Sequence, residues 1–238
     1  MGENERKKRS TSVRYNAITQ TSGRNNMKIK WNNRDWSWNP IDKHLLMVND
    51  WTNDFNHVLP YLDKTRGAIQ AGGAMGLWPY LISQKFEKVY TFEASPDNYK
   101  HLSENMSDIS NVSHYNKALG ATNGFCDINL PPSEKENAGC YYSKESPTGK
   151  IEQIALDDFI EGPIDFIQLD VEGHELNVLH GAKRLIEEYS PIIMLEDKRL
   201  PHSAEIGHCV GDVEKYLISI NYEVVKRVHK DIIFRRNT

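Results

Sequence analysis

Cysteine is scarce in this chain, and long apolar runs are missing. The three cysteines among 238 residues, Cys126, Cys140 and Cys209, are odd in number, far apart and never spaced as C-x-x-C. That excludes a disulfide framework and a structural zinc site, and it fits a reduced, cytoplasmic chain whose thiols pack as small hydrophobes. No stretch approaches the roughly 18 apolar residues that spanning a bilayer requires. The basic N-terminus lacks the apolar segment of a secretory signal. Glycine and proline, at 15 and 10 residues, are too few for collagen-like or low-complexity chains. The net charge of only −4 argues against a wholly basic nucleic-acid coat. Hydrophobic residues at 39% and charged residues at 26% are ordinary globular values, and the length suits one domain with an extension.

Charge is unevenly spread. Residues 1–30 hold eight Lys and Arg against Glu3 and Glu5, a net of +6, which leaves −10 for the remainder. This stretch is rich in Ser, Thr and Asn and lacks a hydrophobic period, which predicts a flexible basic arm. A solvated tail is its commonest use; contact with phosphate backbones is the other. Residues 31–66 read as a Trp-rich segment and a lead-in helix. Trp31, Trp36, Trp38 and Trp51 lie among Asn, Asp and Arg. Such indoles usually bury against a domain, although they can also stack on bases or sugar rings. Asn49 to Leu62 reads as a short helix into the core.

Residues 67–238 read as the main domain, in which strands alternate with helices. Strands are expected at Gly67–Gln70, Lys88–Glu93, Asn111–Asn116, Ile151–Phe159, Ile164–Asp170 and Pro191–Glu196. Helices are expected through Lys85, from Pro96 to about Met106 with Ser95 as N-cap, and over Val210–Ile220. Leu176, Leu179, Ala182, Leu185 and Ile186 mark one face of a further helix, with Gly181 inside it hinting at close packing. Residues 121–150 suggest a hairpin insertion or a mobile loop over a site. Glu223–Val228 and Ile232–Arg235 form a terminal hairpin. Such alternation implies an α/β fold: a doubly wound, mostly parallel sheet with helices on both faces and one antiparallel terminal strand.

Ligands in doubly wound folds bind beyond the carboxyl ends of the strands. Three such ends carry polar residues. The turn Ala71-Gly72-Gly73-Ala74-Met75-Gly76 lets the backbone bend and approach a ligand closely, yet it is not the G-x-G-x-x-G of dinucleotide sites. Glu93 ends the next strand, 23 residues after Gln70, where an acid can accept both hydroxyls of a ribose. Asp170-Val171-Glu172-Gly173-His174-Glu175 places four ionisable side chains directly after a buried strand, which is costly unless a cleft opens there. His174 can take a proton near neutral pH, or simply cap the helix. Glu172 and Glu175 suit a helix N-terminus.

The runs AIQAGGAMGLWPY, VYTFEASPDNYKHLSEN, NKALG, IALDDF and IDFIQLDVEGHELNVLHGA, ending in PIIMLE, resemble the FkbM family of S-adenosylmethionine-dependent methyltransferases. The likeness extends from about Gly67 to Glu196, and LDVEGHE with LHGA is its most specific part. It implies the Rossmann-like class I methyltransferase fold, a seven-stranded sheet whose last strand is antiparallel. It also implies S-adenosylmethionine as cofactor and transfer of a methyl group to a hydroxyl. Carried over by position, Gln70, Ala71, Gly72 and Gly76 would lie at the methionine part, Glu93 at the ribose, Ala94 on the adenine, and Lys117 and Ala118 at the adenine edge. Asp170 would sit by the methionine moiety and the acceptor. Three positions depart from the pattern: Gln70 stands where the family usually has Asp, Ala94 where it has Pro, and Gln168 where it has Lys.

The expected mechanism follows from the chemistry of a sulfonium methyl donor. The protein aligns an acceptor oxygen and removes its proton, with Asp170 shaping the electrostatics, His174 as base and Glu172 as the reserve base. Carboxylates suit Mg²⁺, but no spacing here demands a cation between Asp170, Glu172 and Glu196, and no metal is expected. The favoured acceptor is a hydroxyl of a sugar, glycan or small natural product, in a pocket built by residues 121–150, 197–209 and the Trp-rich segment. A nucleic acid held through residues 1–30 is the alternative, and a non-catalytic binding module is a third reading.

Overall fold

A seven-stranded sheet carries the fold. The computed structural model describes residues 19–23, 26–42, 53–197 and 209–237. Its first strands, β1 (Thr19–Gly23), β2 (Asn26–Trp31) and β3 (Arg34–Trp38), make an antiparallel meander. Then β4 (Gly67–Ala71), α1 (Leu77–Ser83), β5 (Lys88–Phe92), α2 (Pro96–Met106) and β6 (Val112–Tyr115) alternate as expected. A second, four-stranded sheet follows, made of β7 (Ala118–Leu119), β8 (Gly124–Asn129), β9 (Tyr142–Glu145) and β10 (Ile151–Ile154). After α3 (Leu156–Phe159) come β11 (Phe166–Leu169), α4 (Glu175–His180), α5 (Lys183–Tyr189) and β12 (Ile192–Glu196). The described chain closes with α6 (Asp212–Ser219), β13 (Tyr222–Val228) and β14 (Asp231–Arg236).

The strand order is β13-β14-β12-β11-β4-β5-β6. Strands β12, β11, β4, β5 and β6 run parallel, and β14 enters antiparallel beside β12. The doubly wound α/β architecture with an antiparallel terminal strand is therefore present. Central β4 and β11 are buried along their whole length, as parallel strands covered on both faces must be. One face packs Ile69, Phe92, Ile167 and Leu195 under Leu179, Leu185 and Leu217. The other packs Ala68, Val89, Phe166 and Met194 under Leu81, Ile82, Leu102 and three tryptophans.

Those tryptophans decide between the two uses weighed for the aromatic segment. Trp31, Trp36 and Trp38 are buried, so their rings are unavailable for stacking on bases. Trp31 and Trp36 meet each other and Tyr80 edge to face. Trp51 lies outside the described residues. The meander is fastened to α2 by polar pairs: Asn105 accepts from Ser37 N–H at 2.7 Å and donates to Ser37 O at 2.8 Å. Arg34 spans the same seam, bonding Asn105 O and Asp108.

Several expected boundaries shift. The flexible arm was expected to run through residue 30, yet β1 and most of β2 fall within that range. Met27, Ile29 and Trp31 point inward while Lys28 and Lys30 point out, a two-residue period hidden among polar neighbours. Residues 1–18 lie outside the described residues. Of the helix expected at Asn49–Leu62, the described part is α-helical at Asn53 and Asp54 and then tightens into 3₁₀ turns at Phe55–His57 and Leu59–Tyr61, the second containing Pro60. The helix expected across Gly181 is two helices broken there. A Cβ on Gly181 would lie 2.1 Å from Gly120 O, so the close packing is real even though the helix is not continuous. Residues 121–150 form a hairpin, and the strand expected at Ile151–Phe159 ends at Ile154 and pairs within the small sheet.

Candidate active site

The glycine bend turns over the end of β5. Gly72 N–H and Gly73 N–H both donate to Phe92 O, at 3.0 and 2.9 Å. Gly72, Ala74 and Gly76 adopt φ of +82°, +44° and +96°. At Gly72 the requirement is absolute, because a Cβ there would sit 1.9 Å from Asp170 O. The bend and the β11 terminus thus press together, and Asp170 N–H donates to Ala71 O at 3.0 Å.

Glu93 points into the bend. Its Oε2 accepts Ala74 N–H at 2.7 Å and its Oε1 accepts Ser95 N–H at 2.8 Å. Burial pushes the carboxyl up to about 7, although these donors and Asn98 favour the ionised form. Three donors occupy three of the four lone-pair positions of the carboxylate, which leaves one for a ligand hydroxyl. Asn116 Nδ2 ties the strand ends together by donating to Glu93 O at 2.8 Å.

A cavity opens beside Glu93. Of the expected cofactor residues, Ala71, Gly72, Glu93, Ala94, Lys117, Ala118 and Asp170 line it. Gly76 does not; it caps α1. Lys117 Nζ is paired with Glu152. Gln70, expected at the cofactor's ammonium, is fully buried and lines neither this cavity nor the next. Its amide is spent below the bend, on Thr91, Gln168 and Gly72 O.

A second cavity of about 550 Å³ adjoins the first. The two share Gly72, Ala74, Gly139 and Asp170, so Asp170 stands at their junction. The insertion contributes Asn137, Gly139 and Cys140 to this second cavity and the Trp-rich segment contributes Trp38 and Asp42, two of the three regions expected to build an acceptor pocket. Residues 198–208, in the third, lie outside the described residues. Trp38 Nε1 is buried without a hydrogen-bond partner among the described residues.

Glu172, at φ +52°, lines this second cavity. Oxygens of Asp170, Glu172 and Glu196 lie within 4.8 Å of one another, and Lys230 Nζ lies 3.7 Å from Glu196. His174 is not brought to either cavity. Buried at the N-cap of α4, it hydrogen-bonds Ser143 O through Nε2 at 2.6 Å. A carbonyl only accepts, so that nitrogen carries the proton and fastens the insertion. The base role expected of His174 therefore has no geometric support. Glu175 is buried too; its Oε1 accepts Val171 N–H at 3.1 Å, and burial pushes its carboxyl up to about 7.

Sequence reasoning missed the insertion residues Ala138, Gly139, Tyr141 and Ser143 and the Lys230-Asp231 turn. The turn was deducible: it opens the antiparallel strand, which begins at the sheet edge where the parallel strands end. The insertion was expected over the site as a segment, but nothing in the sequence singled out which of its residues line it. Among the described residues no helix is long and apolar enough to cross a membrane.

Comparison with known proteins agrees with this arrangement. A curated relative, the hexuronic acid methyltransferase AglP of Haloferax volcanii, is 28% identical over 127 residues, covering 52% of each chain. The chain thus spans about half the length of that relative. A solved methyltransferase FkbM from Methylobacillus flagellatus superposes with a TM-score of 0.50 at 20% identity, over 72% of this chain and 43% of that one. The N-methyltransferase NodS from Bradyrhizobium japonicum, solved with S-adenosyl-L-homocysteine, also gives 0.50, at 8% identity over 80% and 87%. Both share the fold. The family model described as the methyltransferase FkbM domain matches residues 78–224. Because that match runs from α1 into β13, well over half of the chain, the protein belongs to the FkbM methyltransferase family.

Proposed function

We propose that the protein is an S-adenosylmethionine-dependent O-methyltransferase acting on a hydroxyl of a sugar, glycan or small natural product. One observation carries the reading. The cavity at Glu93 and the larger cavity meet at Gly72 and Asp170, so a nucleoside on one side and an acceptor on the other would approach each other there. When bound, the cofactor supplies an electrophilic methyl group. The chain does the rest. Glu93 accepts a ribose hydroxyl, and the side-chain-free bend at Gly72 admits the ligand against the backbone. Ala94, Lys117 and Ala118 border the base. Asp170 receives the hydrogen bond, and then the proton, of the acceptor hydroxyl; Glu172 lines the acceptor side. His174 holds the insertion over the site by way of Ser143 O.

Support for a sugar acceptor comes from the Haloferax relative, a hexuronic acid methyltransferase. The test is methyl transfer from labelled cofactor to a panel of glycans, read by mass spectrometry. Asp170→Asn is expected to lower turnover at saturating cofactor about a hundredfold or more, the usual worth of a positioned base. Unchanged turnover in that variant removes the proposed base.

A further inference from the structure

The departures at Gln70 and Gln168 form one structure. Gln70, Thr91 and Gln168 are register partners on three adjacent parallel strands, so their side chains share a face directly beneath the glycine bend. All three are buried. Gln70 Nε2 lies 3.0 Å from Gly72 O and 3.2 Å from Ala71 O. Carbonyls only accept, so this end of the amide is the nitrogen, and the other end, Oε1, takes the Thr91 hydroxyl at 2.5 Å. The atom of Gln168 at 3.0 Å from Gln70 Nε2 must then be its oxygen. The orientation of Gln168 follows: its NH₂ group is turned away from Gln70.

That NH₂ group has no hydrogen-bond partner among the described residues, although Gln168 is only 2% exposed, and Gln168 lines the 550 Å³ cavity next to Asp170. An amide donor at a cavity wall that no protein group accepts is open to a ligand acceptor. One wall of this cavity is Gly72-Gly73-Ala74-Met75, the far side of the bend from Glu93. A ligand whose ribose sits at Glu93 and whose chain crosses Gly72 therefore carries its amino-acid end toward Gln168. The two N–H bonds there match an acceptor-only carboxylate, while the neighbouring carboxylates of Asp170 and Glu172 match an ammonium.

We propose that Gln168 donates to the carboxylate of the cofactor's amino-acid end, and that Gln70 and Thr91 are the positioning residues that hold it in that orientation. The inference rests on the cofactor reading above. It concerns a neutral donor where the family usually has a lysine, so recognition of the carboxylate here would not depend on a cation.

The test is calorimetry on the full chain with two probes. S-adenosylhomocysteine has the amino-acid end; 5′-methylthioadenosine keeps the nucleoside and thioether but lacks it. Gln168→Leu removes the donors without adding charge, and Gln168→Glu keeps an oxygen for Gln70. Both variants are expected to bind S-adenosylhomocysteine tenfold or more weaker, with methylthioadenosine changed less than twofold. Equal losses for both probes, or no loss for either, overturn the proposal. Wild-type protein that binds both probes equally well also overturns it while leaving the nucleoside site intact. Wild-type protein that binds neither removes the cofactor reading itself, and this inference with it.

Discussion

Glu93 makes the cofactor reading testable by pH alone. Its carboxyl is held at about 7 against an ordinary 4.5. Ribose hydroxyls donate, so they favour the ionised carboxylate, which makes up about nine-tenths of the protein at pH 8 and only a few per cent at pH 5.5. Affinity for S-adenosylhomocysteine is therefore expected to fall about thirtyfold across that interval, with proton release on binding near pH 6.5. The effect on the unliganded fold has the opposite sign. Below about 4.5 the group is protonated in folded and unfolded chains alike and costs nothing. As pH rises to about 7, burying the charge costs stability, up to about 3 kcal/mol at roughly 1.4 kcal/mol per pH unit. Glu93→Gln removes that cost but sets an N–H against Ala74 N–H or Ser95 N–H, a conflict of about 1–3 kcal/mol. Its melting temperature should thus lie near wild type at pH 8 and below it at pH 5. Glu175 is raised to about 7 as well, so calorimetry on Glu93→Gln is the control and should show weak binding with no pH slope. A flat wild-type profile, or the same slope in Glu93→Gln, refutes the assignment.

Three more outcomes follow from the geometry. Gly72→Ala drives a methyl into Asp170 O at a left-handed φ; it should melt several degrees lower and lose S-adenosylhomocysteine binding, by thermal scanning and calorimetry. His174→Ala strands the buried Ser143 carbonyl and should cost about 1–3 kcal/mol in denaturant melts. The pH profile of its remaining methyl transfer should match wild type; loss of an inflection near pH 6 to 7 would restore His174 as the base. Gly181→Ala collides with Gly120 O and should destabilise the chain as strongly as a core overpacking, about 1–3 kcal/mol or more, while leaving cofactor affinity per folded molecule unchanged.

Local rules made much of the framework legible. Ser95-Pro96 announced α2, and Ser95 indeed accepts Asn98 N–H at 3.4 Å. Buried apolar runs marked β4, β11 and β12 because both faces of a central parallel strand are covered. Glycine at 72 and an acid at 93 were readable as partners, because strand-end spacing follows from the length of a β-α-β unit. The meander was not readable: its inward residues Met27, Ile29 and Trp31 alternate with Lys28 and Lys30, and only the groove against α2 turns that weak pattern into burial. His174 shows the converse. Its composition suggested a base, but chain folding spent its Nε2 on a carbonyl 31 residues away in sequence. The same holds for Gln70 and Gln168, which look like two weakened cofactor contacts in the sequence and become one oriented amide chain in space. Sequence alone determined most of the strands, helices and bends from Gly67 to Glu196 and the terminal hairpin, since those depend on neighbours a few residues apart. Which polar atoms face a ligand and which satisfy one another was decided only by tertiary structure, because a hydrogen bond goes to whichever partner the fold brings within 3 Å.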